Sequence, residues 1–350
     1  MNLFKNKKIL VTGGTGSLGK ELVWDLLKNH EPGTVRIYDV DETEQFNFQQ
    51  ELRYYFKDNL KKYEDSIRFL LGDVRDKERL NRATENIDII FHTAALKHVM
   101  ACEYNPFEAV KTNVLGMQNI IDAAIDNNVS KIIFTSSDKA VNPSNTMGAT
   151  KLLAEKLMTA ANYYKGARKC IFSSVRFGNV MGSRGSVIPL FTQQIKNGGP
   201  VTITDPTMTR FMMSMSQAVD LVFRSSEIAQ GGEVFIFKMP VVNILDLAEV
   251  LIEGLTPKYG HSRKEIGIEI IGTKLGEKMY EELMTEDEAS RSLEREDMYI
   301  ILPEMIEEIS NLDKTKYNAT SIKSKDFISR DAKPINKEEI KAILIKDGII

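Results

Sequence analysis

Cysteine is scarce in this 350-residue sequence. Cys102 and Cys170 sit in unrelated contexts with no Cys-x-x-Cys spacing, which argues against a disulfide framework and against a zinc site, so no metal is expected. Both read as small buried hydrophobes. An excess of charge is lacking as well: 46 Lys and Arg against 49 Asp and Glu leave a formal net charge of −3, with no basic field for nucleic acid or an acidic membrane. No apolar run approaches the roughly 18 residues that cross a bilayer. The start MNLFKNKKILVTGG lacks the long apolar region and cleavage site of a signal peptide. Internal repeats and low-complexity segments are absent. The expectation is a soluble, cytoplasmic protein with a small-molecule partner, long enough for one large α/β domain with a smaller lobe or for two domains sharing a cleft.

What is present is alternation. Short β-branched runs alternate with amphipathic stretches of helical length, which predicts a parallel sheet with helices on both faces. The predicted strands are KKILVT (7–12), TVRIYD (34–39), IRFLLGD (67–73), IDIIFHTAA (87–95), KIIFTSS (131–137) and CIFSSVRFGN (170–179). Helices are predicted over 17–29, 42–57, 77–85, 106–127 and 146–164, with Asp76 and Asn105 as suitable caps. After Asn179 the rhythm breaks into Gly-, Pro- and Ser-rich pieces with short helices between them. The chain is expected to return to the sheet once, at 232–239, and to end in an amphipathic helix. The fold class is therefore α/β. Residues 1–178 form a Rossmann-type doubly wound parallel sheet, and 179–231 with 240–350 form a smaller mixed α/β substrate lobe.

ILVTGGTGSLGKEL places Gly13, Gly16 and Gly19 just after the first strand and at the start of a helix. The backbone there can turn tightly and offer helix N-terminal N–H groups to a pyrophosphate, with Thr15, Ser17 and Leu18 in the same turn. Asp39 ends the second strand about 20 residues on, the spacing at which a carboxylate meets a ribose. That carboxylate would repel a 2′-phosphate, so NAD is favoured over NADP. Asp73, followed by Val74, is placed either to reach the adenine or to cap the next helix. Ala94 and Ala95 follow the fourth strand at the same end of the sheet.

Ligands of open α/β sheets sit beyond the strand C-termini, so SSDKAVNPSNTMGATK, Ser136 to Lys151, is the candidate for chemistry. Ser137, Asp138 and Lys139 crowd a hydroxyl, an acid and a base into one turn. The alternative is a solvated ion pair before an Asn-Pro turn. Met147 shares a helix face with Lys151, and Gly148 and Ala149 would let a nicotinamide ribose come close. Lys151 would hydrogen-bond that ribose. A familiar dehydrogenase site has Tyr where Met147 stands, and a thioether cannot carry a proton.

These motifs, together with HTAALKHV, VRFGNVMGSRGSVIPLF, ITDPTMTRFMM and GTKLGEKMYEELM, resemble the UDP-N-acetylglucosamine 4,6-dehydratases of the extended short-chain dehydrogenase/reductase superfamily, from about residue 5 to 340. Some members of that family carry Met at this position, often behind a long N-terminal membrane region; this chain looks like their soluble catalytic part. The resemblance implies NAD-dependent oxidation at C4, loss of water across C5 and C6, and return of hydride to C6. Lys139 would be the base for H5, given burial or a cation that brings its pKa towards working pH, and Asp138 the acid for the C6 hydroxyl. For the C4 hydroxyl proton the candidates are Ser137 as a relay, Asp138, or a water held by Lys151. UDP-N-acetylglucosamine would be met by Asn179, Arg184, Gly185, Arg210 and Glu277, with Lys97 and His98 towards the sugar; His92 reads as packing.

Two other readings remain at this point. A UDP-sugar 4-epimerase shares fold and cofactor but needs no acid for C6 and relies on the missing Tyr. A non-catalytic NAD-binding protein would need neither acid nor base. By resemblance the outcome at C5 is retention, and a homo-oligomer is expected through helices 106–127 and 146–164.

Overall fold

Successive side chains on a strand face opposite ways, and a strand buried on both faces is apolar throughout. In the computed structural model, which describes residues 2–273, 276–304, 312–322 and 326–350, β1 (Lys8–Thr12) shows this directly. Ile9 and Val11 enter one apolar cluster and Leu10 the other. β2 (Thr34–Asp39), β3 (Ile67–Leu71), β4 (Ile89–His92), β5 (Lys131–Ser137) and β6 (Ile171–Phe177) stand parallel with it in the order β3-β2-β1-β4-β5-β6. Against one face pack α1 (Ser17–Asp25) and α2 (Glu42–Tyr55), through Leu22, Val23, Phe48 and Leu52. A short helix α3 (Leu60–Ser66) follows α2.

The other face is covered by α4 (Lys77–Thr84) and by a helical run from α5 (Val99–Tyr104) and α6 (Pro106–Ala109) into α7 (Gly116–Asp126), then α8 (Thr146–Tyr164). Leu80, Met117, Ile120, Ala154 and Met158 carry the contact. The predicted helix over 106–127 contains a π-helical turn, Val110–Leu115, and the one over 17–29 ends in another, Leu26–His30. Asp76 caps α4 by accepting the Arg79 N–H at 2.9 Å. Asn105 stands at a helix start but does not cap it: its amide turns back to the Ala101 carbonyl of α5, and Pro106 needs no acceptor there.

The fourth predicted strand stops at His92, because Thr93 turns to bond the Thr12 carbonyl through both its N–H and its hydroxyl. The sixth divides: after β6 the chain crosses to β7 (Asn179–Val180), in a small sheet with β9 (Thr209–Met213) and β11 (Val241–Asn243). β8 (Val201–Ile203) pairs with β12 (Ile268–Ile270). α9 (Val187–Lys196), α11 (Ile244–Leu255) and α13 (Lys337–Lys346) pack with these strands around Phe191, Leu247, Leu251 and Leu344. α10 (Met215–Ile228) instead joins α1 and α2 over the large sheet, and β10 (Val234–Phe237) lies parallel beside β6. Antiparallel β14 (Met298–Ile301), β13 (Ser292–Glu294) and β15 (Thr320–Ser321) extend that edge, with α12 (Glu286–Ser290) just before β13.

Candidate active site

The loops that leave the C-terminal ends of β1 to β6 meet residues of the β9 and Gly276–Glu281 segments over a cleft of ≈ 1220 Å³, larger than an ordinary small-molecule pocket. At its nucleotide end Gly13 has φ +66°, and a Cβ there would lie 2.7 Å from the Ala94 nitrogen; one on Gly19 would lie 2.2 Å from the Gly13 carbonyl oxygen. Backbone must approach backbone here, so no side chain fits. Thr15, Gly16, Ser17, Leu18 and Gly19 line the cleft, where the first turn of α1 leaves N–H groups without intrahelical acceptors. Asp39 takes the Thr15 N–H at Oδ2 (3.0 Å) and the Asp41 N–H at Oδ1 (3.2 Å), which fixes its carboxylate at the cleft edge. Val74, Ala94 and Ala95 line the same end.

Asp73 also lines the cleft, gripped by Arg75 (Nε to Oδ2, 2.8 Å). Burial opposes its charge, but the Arg75 hydrogen bonds and charge prevail and hold its pKa below the usual carboxylate value. These residues fit a dinucleotide: a side-chain-free turn for the pyrophosphate, a fixed carboxylate for ribose hydroxyls, and apolar walls.

At the reacting end β5 delivers Ser137 and Lys139 into the cleft wall and hides Asp138 behind them. Asp138 Oδ1 accepts from the Ser137 hydroxyl at 2.8 Å and from Lys139 Nζ at 3.0 Å, while Oδ2 is buried with no partner among the described residues. Lys139 also donates to Asn179 Oδ1 at 3.3 Å and faces Glu281 Oε1 at 3.7 Å. Burial favours the neutral amine, but Asp138 and Glu281 together outweigh it and raise the Lys139 pKa above the ordinary lysine value. The expected lowering is thereby corrected: Lys139 rests as an ammonium.

Lys151 Nζ donates to the Thr135 carbonyl at 2.9 Å, and burial pushes its pKa down to about 8 against the pull of Glu155. Met147, 2% exposed, packs with Cys102 and Ala109 at the cleft wall. Gly148 also admits the Ser137–Lys139 turn, because a Cβ there would meet the Lys139 carbonyl oxygen at 2.2 Å. His92 is neutral. Burial and Lys151 push its pKa down to about 3, and its ring bonds Thr12 Oγ1 at 2.7 Å.

The other wall holds the remaining candidates. Lys97 Nζ donates to the Arg184 carbonyl at 2.6 Å, and burial, then Arg184, lowers its pKa. The His98 ring lies where a Cβ on Gly185 would be, 2.3 Å from Cε1. Arg184 reaches across to the nucleotide end: its N–H donates to Ser17 Oγ (3.1 Å), Nη2 donates to the Thr15 carbonyl (2.8 Å), and Nη1 lies 3.4 Å from Glu44. Arg210 is buried with its guanidinium donating to the carbonyls of Thr209 (2.8 Å) and Lys278 (2.7 Å), near Glu277 at 3.8 Å and Glu281 at 3.7 Å. Glu277 accepts from Thr204 Oγ1. Lys274 and Leu275, of the last sequence motif, lie outside the described residues.

Two residues of the site escaped the sequence reading. Glu281 stood in a quoted motif, but only the fold brings it to Lys139. Asn113, in the π-helical turn, clamps the loop after β4 by accepting the Leu96 N–H (2.8 Å) and donating to the Leu96 carbonyl and Thr150 Oγ1 (each 3.0 Å). A polar residue in an amphipathic helix gives no sign of such a task. Among the described residues no group of His, Cys, Asp and Glu is arranged to hold a metal, and no helix is long and apolar enough to cross a membrane.

The family described as Polysaccharide biosynthesis protein matches residues 9–303. An uncharacterized membrane protein of Methanocaldococcus jannaschii is 54% identical over 98% of this chain and 96% of its own. An inverting UDP-N-acetylglucosamine 4,6-dehydratase of Campylobacter jejuni is 44% identical over 86% of this chain and 84% of its own. A UDP-glucose 4-epimerase of Rickettsia rickettsii is 38% identical over 98% and 96%. Among solved structures, Pen from Bacillus thuringiensis superposes with a TM-score of 0.89 at 47% identity, covering 99% of each chain.

Proposed function

The chain belongs to the polysaccharide biosynthesis protein family, and on that footing we propose that it is an NAD-dependent UDP-N-acetylglucosamine 4,6-dehydratase, a hydro-lyase that makes a UDP-4-keto-6-deoxy-N-acetylhexosamine. The observation that carries the reading is the Ser137–Asp138–Lys139 turn, which sets a hydroxyl and an ammonium in the cleft wall with one buried carboxylate bonded to both. NAD, held by the Gly13–Gly19 turn and Asp39, would supply the hydride acceptor for C4 and the hydride donor for C6. The C4 hydroxyl passes its proton to Ser137 as Ser137 passes its own to Asp138. Oxidation at C4 acidifies H5, which Lys139 removes once it is neutral. The C6 hydroxyl then leaves as water with the Asp138 proton, again through Ser137. Lys151, charged below about pH 8, orients the nicotinamide ribose and adds positive potential where an enolate forms.

The UDP moiety lies along the wall of Asn179, Gly185, Arg210 and Glu277, with Lys97 and His98 towards the sugar. The NAD-binding domain is 1–178 with the return strand at 232–239, and the remaining residues form the substrate lobe, to whose cleft 1–178 adds Lys97 and His98. Exposed Tyr104, Phe107 and Leu115 beside Leu153 and Tyr164 of α8 support a homo-oligomer through these helices.

An epimerase is the second reading, favoured by the Rickettsia relative. It gives Lys139 and its two carboxylates no work, because epimerisation at C4 breaks no bond at C5 or C6. At C5, Met147 with the NPSN segment and Asp39 supports retention, and the Campylobacter relative's inverting activity supports the opposite. One experiment separates all of these: the protein is incubated with UDP-N-acetylglucosamine in D2O and the sugar protons are followed by NMR. A 4-keto-6-deoxy product with deuterium at C5 is the expected result, and its ring couplings distinguish retention from inversion. Return of the C4 epimer, or of unchanged sugar, overturns the dehydratase reading.

A further inference from the structure

Two carboxylates, not one, flank the Lys139 ammonium: Asp138 Oδ1 at 3.0 Å and Glu281 Oε1 at 3.7 Å. The Glu281 backbone is fixed by Ser329, whose Oγ accepts its N–H and whose N–H donates to its carbonyl, both at 2.9 Å. The Glu281 side chain lines the cleft yet is 2% exposed, and its Oε2 has no hydrogen-bond partner among the described residues. An unpaired buried oxygen is costly on a carboxylate and far less so on a carboxylic acid. Burial accordingly raises the Glu281 pKa; Lys139, Arg210 and Lys278 pull it down, and Asp138 adds to the rise.

Arg210 Nε also lies 3.7 Å from Glu281 Oε1, so Asp138, Lys139, Glu281 and Arg210 alternate in sign and their formal charges cancel. Lys139 must be neutral before it can take a proton from carbon. Once Asp138 is protonated the cluster carries one positive charge; releasing the Lys139 proton to water would remove that charge from beside a forming enolate, whereas a transfer within the cluster keeps it. Asp138 already holds the proton from the C4 hydroxyl, which leaves Glu281.

We propose that Glu281 is a further acid–base residue of this site, the group that holds the Lys139 proton while Lys139 takes H5. The inference rests on the dehydratase reading given above. An Nζ–H bond breaks and an O–H bond forms on Glu281, which leaves an amine beside a carboxylic acid. The 3.7 Å separation closes to hydrogen-bond range with a small side-chain movement. The amine takes H5, the C5–H electron pair becomes the C5–C6 double bond as the C6–O bond breaks, and water leaves with the Asp138 proton. Once C6 is reduced, the ammonium protonates C5 and Glu281 returns its proton to the amine. The proton count therefore closes, with one proton leaving in water and C5 receiving one of the three equivalent, solvent-exchanged protons of the Lys139 ammonium.

The test uses Glu281→Gln, which keeps the shape and cannot accept the proton. Single turnovers with UDP-N-acetylglucosamine are quenched in borodeuteride, which labels C4 of any 4-ketone; the mass then reports whether C6 still carries oxygen. The expected result is C4 oxidation at the native rate, elimination slowed roughly 10²-fold, and accumulation of the 4-keto sugar with oxygen at C6. Elimination by this variant is expected to quicken with rising pH, because the Lys139 proton must now reach solvent, while the native rate stays level. The charged groups facing position 281 (Lys139 and Asp138 after β5, Arg210 on β9 and Lys278 on its own segment) are the same in both proteins. Glu281→Asp is expected to recover part of the rate. Equal elimination rates in the two proteins, a level pH response in Glu281→Gln, or equal slowing of oxidation and elimination would each overturn the proposal. If the native protein forms no 4-ketone at all, the dehydratase reading fails first, visibly and without reference to the variant.

Discussion

Arg176 and Glu155 form a two-point ion pair with both side chains buried: Nε meets Oε1 at 3.1 Å and Nη2 meets Oε2 at 2.6 Å. The same guanidinium bonds Glu288 and the Leu283 carbonyl, so β6, α8 and the start of α12 are tied at one point. Arg176→Met would leave buried Glu155 and partly buried Glu288 without the guanidinium that bonds both. The expected loss is about 3–5 kcal/mol of stability, read as a lower urea midpoint.

Gly148 separates local geometry from global stability. An added methyl would stand 2.2 Å from the Lys139 carbonyl oxygen and must push it, and with it the turn that bears Ser137 and Lys139. Gly148→Ala is expected to lower kcat about 10²-fold, the scale of an ångström misplacement in a site. Its far-ultraviolet circular dichroism should stay native. Gly267→Ala, where a methyl meets open space and φ is not positive, should keep full activity.

The Asp39 carboxylate is held by two backbone N–H groups at the cleft edge. Asp39→Ser removes both the ribose acceptor and the repulsion of a 2′-phosphate. NAD should bind more weakly to this variant and NADP more tightly than to the native protein, by fluorescence titration of each cofactor.

Lys151 links stability to pH on the alkaline side. Its folded-state pKa of about 8 lies below the ordinary 10.5, so between those values the unfolded chain holds a proton that the folded chain lacks. Stability from this group therefore rises as pH climbs from about 8 towards 10.5; below about 8 both states are protonated and the burial cost is borne in full. Urea midpoints measured across that range should rise more in the native protein than in Lys151→Met.

The six parallel strands were legible because strands buried on both faces are apolar runs, and the turn at Gly13 and Gly19 because backbone must approach backbone there. α8 was legible to the residue, since Asn145 ends the preceding turn as its cap. Other features depend on distance in sequence. The Lys139–Glu281 approach spans 142 positions, from 281 − 139, and no local pattern encodes it. Asn113 was invisible for a related reason: its partners, Leu96 and Thr150, belong to other elements. Arg184 read as a clamp for the substrate because a guanidinium on a loop suits a diphosphate; its direction was set by a loop path that composition does not describe.

That loop path has a mechanical consequence. Lys97, from the sugar end, holds the Arg184 carbonyl, while Arg184 itself holds Ser17 and Thr15 of the glycine turn. A short tether therefore joins the two ends of the cleft, and displacing either end loads the other. The glycine turn after β1 and the loop after β4 thus move as one piece, although they leave different strands.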